Sequence, residues 1–232
     1  MPFQGSNRVV VIVGEKGSGK STYAEEQFLN SRRAIVVDSQ WEYMRGFCVQ
    51  SKLHLVQYLK NNERFRIVYR PLDDDGIDYV CKVAMAKRRL LLIVEEMGQY
   101  CSPNSISKPI KHVFARGRHS ELDVIVTAHR FADLPRLITF NADEYILFRA
   151  NETIDLEGLE KRFGERVADK VSNLGDLEYL RIDRKKWRAD NGTLDLGSCG
   201  GHRGMVHRNV PAANLSGDSA TNDWEHRSEH GA

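Results

Sequence analysis

Long hydrophobic runs, cysteine pairs and an excess of one charge are all missing from this sequence. None of its apolar stretches reaches the roughly 18 residues that a membrane helix needs. The first residues, MPFQGSNR, lack the apolar core of a signal peptide. These absences favour neither membrane insertion nor secretion, and we expect a cytoplasmic protein.

The cysteines and the net charge exclude few further classes of protein. The four cysteines, Cys48, Cys81, Cys101 and Cys199, include no CxxC pair, which favours reduced thiols over a disulfide framework or a zinc site. A net charge of +2 is too small to indicate nucleic-acid binding by itself. Any contact with DNA therefore has to come from local clusters of basic residues.

Short apolar runs rich in Val and Ile recur along the chain, and segments of helical length separate them. The runs are at 8–13, 33–38, 65–70, 90–96, 123–128 and 143–149. This alternation predicts an α/β fold, a three-layer sandwich in which helices cover both faces of a mostly parallel central sheet. A later run at 177–182 predicts an edge strand.

Composition changes near residue 188. Residues 189–232 are rich in Gly, Asn, Ser, Asp and His and have little apolar periodicity. We predict one compact domain over 1–188 and a flexible tail over 189–232. Cys199, His202 and His207 have loosely ligand-like spacing, but no fourth ligand is evident, so we predict no metal site in this tail.

A glycine-rich stretch follows the first predicted strand. Gly14, Gly19, Lys20 and Ser21 match the pattern GxxxxGK[ST] between a strand and a helix, the context that a phosphate-binding loop requires. Lys20 is suited to the β- and γ-phosphates and Ser21 to Mg²⁺, so ATP and Mg²⁺ are the predicted cofactors. The predicted nucleotide contacts are Gly14, Glu15, Lys16, Gly17, Ser18, Gly19, Lys20, Ser21 and Thr22.

Two glutamates end the buried run LLLIVEE. A nucleoside triphosphatase needs a carboxylate at a strand end for the magnesium shell and a second group that orients water. We predict that Glu95 acts on Mg²⁺ through water and that Glu96 activates the attacking water. The alternative is a solvated acidic strand end.

The run DVIVTAHR ends with Thr127 and His129, a position from which a side chain can sense the γ-phosphate. The alternative for His129 is a local hydrogen bond without a catalytic role.

Two arginines, Arg116 and Arg118, precede the same run, and we predict that one of them reaches the nucleotide of a neighbouring subunit. The alternative is a surface pair with Glu121 or Asp123.

The order of these motifs resembles the FtsK and HerA superfamily of ring-forming DNA-pumping ATPases, in particular the genome-packaging ATPases of tailless, membrane-containing icosahedral viruses. The resemblance covers about residues 8–181 and includes ARGRHSELD, TAHR, ADLPRLITFNADEYILFR and LGDLEYLRI. Two departures are Glu95, where the family usually has Asp, and His129, where it often has Gln.

This resemblance implies a RecA-like (ASCE) P-loop NTPase that packages double-stranded DNA into a preformed capsid. It also implies a pentameric or hexameric ring, capsid vertex proteins as partners, and a location in the host cytoplasm or with the virion. Basic candidates for sequence-independent DNA contacts are the cluster at 184–188 and Lys108, Lys111 and Arg136. We predict that Trp41 packs in the core or between subunits rather than on the nucleotide base.

Other functions remain open. A cellular, plasmid or filamentous-phage translocase of the same superfamily has the same motifs. A small-molecule P-loop kinase shares the phosphate-binding loop, although paired glutamates at a strand end favour water as the acceptor. A third alternative is a non-hydrolysing structural protein that uses nucleotide only to assemble, and the intact Lys20, Ser21 and Glu96 argue against it.

Overall fold

The computed structural model describes residues 7–73, 75–185 and 188–194. Their strands form one sheet in the order β3-β4-β2-β5-β6-β1-β7-β8-β9. The strands are β1 (Val9–Val13), β2 (Arg33–Val37), β3 (Phe47–Val49), β4 (Phe65–Tyr69), β5 (Leu91–Val94), β6 (Asp123–Ala128), β7 (Glu144–Phe148), β8 (Glu178–Asp183) and β9 (Arg188–Thr193). The first seven are parallel, and β8 and β9 are antiparallel.

Within the described ranges, seven α-helices connect or flank these strands. They are α1 (Lys20–Asn30), α2 (Lys52–Asn61), α3 (Gly76–Lys87), α4 (Lys108–Arg116), α5 (Arg136–Asn141), α6 (Thr153–Phe163) and α7 (Glu165–Ser172). None of the helices in the described part of the chain is long and apolar enough to cross a membrane.

The central strands are buried on both faces, as their uninterrupted apolar sequence predicts. In β1, Val9, Val11 and Val13 belong to one hydrophobic cluster, and Val10 and Ile12 belong to another. Successive side chains of a strand point to opposite faces, so the two clusters are the two sides of the sheet. The larger cluster includes apolar residues of α2 to α7, and the smaller one includes those of α1. The predicted α/β sandwich is confirmed.

Strand order determines which loops meet. Strand β6 lies between β1 and β5, and all three are parallel. The loops after their carboxyl ends, which contain Gly14–Gly19, Glu95–Glu96 and His129, therefore lie at the same edge of the sheet. This edge is the usual ligand site of an open α/β sheet.

Two strands were not expected from the sequence. Strand β3 has only three residues, FCV, too few to predict a strand, and β9 has the polar sequence RADNGT. Backbone pairing with β8 holds β9, and Leu194 after it is buried. The sheet thus continues past the predicted domain end at 188. Residues 195–232, with Cys199, His202 and His207, lie outside the described residues, and the flexible tail stays a prediction.

Candidate nucleotide-binding site

The glycine-rich loop has the backbone geometry that only glycine tolerates well. Gly17 and Gly19 have φ angles of 78° and 113°, in the left-handed region. A Cβ on Gly14 would lie 2.5 Å from Cβ of Phe148 on β7. Glycine at these positions lets the loop turn tightly between β1 and α1, whose backbone N–H groups at Lys20 and the residues after it form an anion-binding helix N-terminus.

Lys20 lies at the centre of the site. Its ammonium group donates to the carbonyl oxygen of Glu15 at 3.1 Å and to Nδ1 of His129 at 3.3 Å. It also lies 3.9 Å from Oε1 of Glu96. Burial lowers the pKa of Lys20, and the carboxylates of Glu96 and Glu95 oppose this effect. A buried ammonium group at the N-terminus of α1 is suited to pairing with phosphate oxygens.

Glu95 is completely buried and has three hydrogen-bond donors. Its Oε2 accepts from Thr127 Oγ1 at 2.6 Å and from Ser21 Oγ at 3.3 Å, and its Oε1 accepts from Tyr43 OH at 2.6 Å. Burial raises its pKa to about 7, although the bonds from Thr127 and Tyr43 favour the carboxylate. Hydroxyl and carboxylate oxygens are suitable ligands for Mg²⁺, and Ser21 and Glu95 fit such a site. Because the protein already occupies both oxygens of Glu95, this carboxylate fits an indirect role through water.

Glu96 has a different environment from Glu95. Its backbone is left-handed, with φ of 48°, and its N–H donates to Thr127 Oγ1 at 2.9 Å. This turn directs the carboxylate to His129, whose Nε2 lies 3.3 Å from Oε1 of Glu96. A lysine only donates, so Nδ1 of His129 accepts from Lys20 and the Nε2–H faces Glu96. His129 therefore links the lysine of the loop to the glutamate of β5.

Lys20, Glu96 and His129 line a cleft of about 650 Å³, and Glu95 lies buried behind it. Six of the predicted loop contacts line it, namely Lys16, Gly17, Gly19, Lys20, Ser21 and Thr22. The other three support the loop: Gly14 packs on Phe148, Ser18 is buried, and the Glu15 carboxylate accepts from Arg149 Nε at 2.6 Å. The structure thus brings together Lys20, Ser21, Glu95, Glu96 and His129, which the sequence predicted as one site.

Tyr43 was missed in the sequence, because its loop after β2 matches no motif. The fully buried Asp38 organises this loop: it accepts from the backbone N–H groups of Glu42 and Tyr43 and pairs with Arg70 at 2.9 Å. Arg70 also donates to the carbonyl of Tyr43 at 2.7 Å. The loop therefore holds the Tyr43 hydroxyl against Glu95. The Arg70 guanidinium lies over the ring of Trp41, which is 60% exposed, so Trp41 does not pack in the core. Its packing between subunits stays a prediction.

Arg116 and Arg118 are exposed and lie before β6, at the end of the sheet opposite to the loop. Neither has an ion pair among the described residues, and the predicted alternative partner Glu121 pairs with Arg88 and Arg89 instead. They do not join the nucleotide site of their own chain. Action on a neighbouring subunit's nucleotide stays a prediction.

The DNA-contact candidates are dispersed. Lys108 and Lys111 are exposed on α4, and Arg136 is exposed at the start of α5. In the cluster at 184–188, Arg184 donates to the carbonyls of Phe140 and Ala142. Lys185 lies 3.0 Å from Asp143, residues 186 and 187 lie outside the described residues, and only the backbone of residue 188 is described.

No protein-family model and no curated protein matches the sequence. Solved structures do match the fold. The genome packaging NTPase B204 from Sulfolobus turreted icosahedral virus 2, in complex with ATP-γ-S, superposes with a TM-score of 0.70. The two chains are 21% identical, over 80% of this chain and 96% of that one. This chain has the fold of a viral genome-packaging ATPase.

Two further structures share the fold less closely. VirB4 of Thermoanaerobacter pseudethanolicus has a TM-score of 0.55 and 12% identity, covering 90% of each chain. The pCW3 conjugation coupling protein TcpA has a TM-score of 0.54 and 12% identity, covering 78% of this chain and 58% of that one. The predicted P-loop NTPase fold is confirmed. The resemblance to FtsK and HerA ATPases is confirmed at the level of the fold.

Proposed function

We propose that this protein hydrolyses ATP to move double-stranded DNA, and that it packages a viral genome into a preformed capsid. One observation carries the enzymatic part: the Glu96 carboxylate lies at the phosphate-binding loop, linked through His129 to Lys20. The fold shared with a genome-packaging NTPase supports the choice of packaging among the possible tasks.

Each residue has a role that its surroundings support. Lys20 neutralises charge on the β- and γ-phosphates. Ser21 would hold Mg²⁺ directly and Glu95 through water, and the bound metal would supply charge neutralisation for phosphoryl transfer. Glu96 accepts a proton from the attacking water, because its carboxylate faces the cleft whereas that of Glu95 is enclosed. His129 orients Glu96 and responds to the γ-phosphate through Lys20.

The working assembly in this proposal is a pentameric or hexameric ring. Arg116 or Arg118 of one subunit completes the site of its neighbour, which agrees with their distance from their own loop. Capsid vertex proteins in the host cytoplasm are the proposed docking partners. Conjugative or cellular DNA pumping is the alternative that the shared fold also supports.

The test is steady-state ATP hydrolysis across protein concentration, with and without double-stranded DNA, and with Lys20→Ala as the blank. We expect a rate that rises with both DNA and protein concentration. No phosphate acceptor other than water is supplied, so turnover also argues against a small-molecule kinase. A rate indifferent to DNA and concentration would contradict the motor proposal.

A further inference from the structure

A second concave site lies at the opposite end of the sheet from the nucleotide cleft. Arg32, Arg33, Arg64 and Lys87 line a groove of about 540 Å³, with Glu63 as its one acidic lining residue. We call these four cations the basic groove. They come from three separate chain segments: Arg32 and Arg33 at the amino end of β2, Arg64 just before β4, and Lys87 at the end of α3, before β5. These strands are adjacent and parallel, so the fold gathers the charges.

The charges of the basic groove have no carboxylate partner. None of its four cations forms an ion pair with a described residue, and Glu63 is not bonded to them. Arg33 and Lys87 both lie over the ring of Phe65, at 5.4 and 5.9 Å from its centre. The Nε–H of Arg33 is buried without a hydrogen-bond partner among the described residues. Arg33 and Lys87 also donate to neutral backbone carbonyls, those of Lys87 and Leu59. Because no carboxylate of the described residues balances the four positive charges, the groove is suited to an anion.

The positive edge extends beyond the basic groove. Arg88 and Arg89 follow Lys87 and share the single carboxylate of Glu121, and Arg88 donates to the carbonyl of His119 at 2.7 Å. Arg118 is exposed and lies beside His119 in the turn before β6. The row therefore crosses four neighbouring strands, β4, β2, β5 and β6, which is about 14 Å at the usual strand spacing.

A row of this length exceeds what a single phosphate or nucleotide needs. A DNA duplex presents about eight backbone charges over 14 Å of its axis. From this match we propose that the basic groove binds the phosphate backbone of double-stranded DNA. The inference rests on the proposed DNA-translocating function. It places a DNA-contacting surface at the edge of the sheet away from the ATP cleft. Contacts of this kind are independent of sequence.

Fluorescence anisotropy of a short labelled duplex tests the assignment, at several salt concentrations and with the full chain. The test variant is Arg32→Ala with Arg64→Ala, since both side chains are exposed and neither forms a hydrogen bond with a described residue. The matched control is Lys161→Ala with Arg166→Ala, which removes two exposed charges from α6 and α7. These helices connect β7 to β8, strands that are separated from β4, β2 and β5 in the sheet. Circular dichroism and sedimentation check fold and assembly.

We expect the groove variant to bind the duplex about tenfold more weakly at low salt, and its slope of log affinity against log salt to fall by about 2. The control should keep the parent affinity and slope. Parent-like binding by the groove variant, or equal loss in the control, overturns the groove assignment alone. A groove variant that loses subunit assembly along with DNA binding also overturns it, in favour of a subunit contact. A parent that hydrolyses ATP but binds no duplex overturns the proposed function and this inference together.

Discussion

At the residue scale, Glu95 and Glu96 are adjacent and chemically identical, but their surroundings differ. Glu95 is enclosed by three hydroxyl donors, whereas Glu96 turns into the left-handed region and faces the cleft. The first is suited to fixed charge and the second to proton transfer. Replacing each by glutamine separates these roles.

Glu96→Gln should lower the rate of ATP hydrolysis at least about 100-fold, because an amide cannot accept the proton of water. Nucleotide affinity should change little, since Lys20 and the loop remain. Phosphate release and binding of a fluorescent ATP analogue measure the two effects. Glu157→Gln, an exposed change on α6, is the control. Hydrolysis at the parent rate would remove Glu96 from the mechanism.

Glu95 should make stability depend on pH in the protein without nucleotide and divalent metal. Burial raises its pKa from about 4.5 to about 7, so the folded state holds the proton more tightly than the unfolded chain. The free energy of unfolding should therefore fall as pH rises from about 4.5 to about 7, by at most about 3 kcal/mol, and then level off. Urea unfolding of the parent and of Glu95→Gln across this range measures the difference. An equal slope in both proteins would assign the effect to another group.

At the element scale, the loop between β2 and β3 depends on one buried ion pair. Arg70→Met leaves the carboxylate of Asp38 buried without its cation and should cost about 3 kcal/mol of stability. It should also weaken nucleotide binding, because Tyr43 loses its anchor. Arg45→Met, which removes an exposed pair with Glu25, should cost less than about 1 kcal/mol. Urea unfolding and analogue binding compare the two, and equal costs would contradict a structural role for Asp38–Arg70.

The elements that the sequence predicted well are those with a local pattern. The buried runs before Gly14, Glu95 and His129 predicted β1, β5 and β6, because a strand covered on both faces must be apolar throughout. Strand β9 has no such pattern, since its contacts are backbone pairs. Tyr43 and Glu95 are 52 positions apart, and only the fold brings them into contact. The basic groove likewise depends on strand order, which no local pattern contains.

At the scale of the whole molecule, the positions of Arg116 and Arg118 predict how subunits cooperate. They lie at the amino end of β6, whereas the phosphate-binding loop follows the carboxyl end of β1 beside it. One chain therefore cannot bring both to one nucleotide, and a site completed by these arginines needs a head-to-tail contact between copies.

Mixing two inactive variants tests this arrangement. Lys20→Ala removes the phosphate-binding lysine of the loop. The double variant Arg116→Ala with Arg118→Ala removes the arginines that are predicted to complete the neighbouring subunit's site. Each alone should lose nearly all ATP hydrolysis. When equal amounts are mixed at random, a site with an intact loop beside a subunit with intact arginines arises at about a quarter of the interfaces, so about a quarter of the parent rate should return. Hydrolysis is measured without DNA, so that a loss of DNA binding does not affect the rate.

Completion in trans would be contradicted by mixed assemblies, verified by sedimentation, that stay inactive. An arginine double variant that is active alone would do the same, because the site would then need nothing from its neighbour.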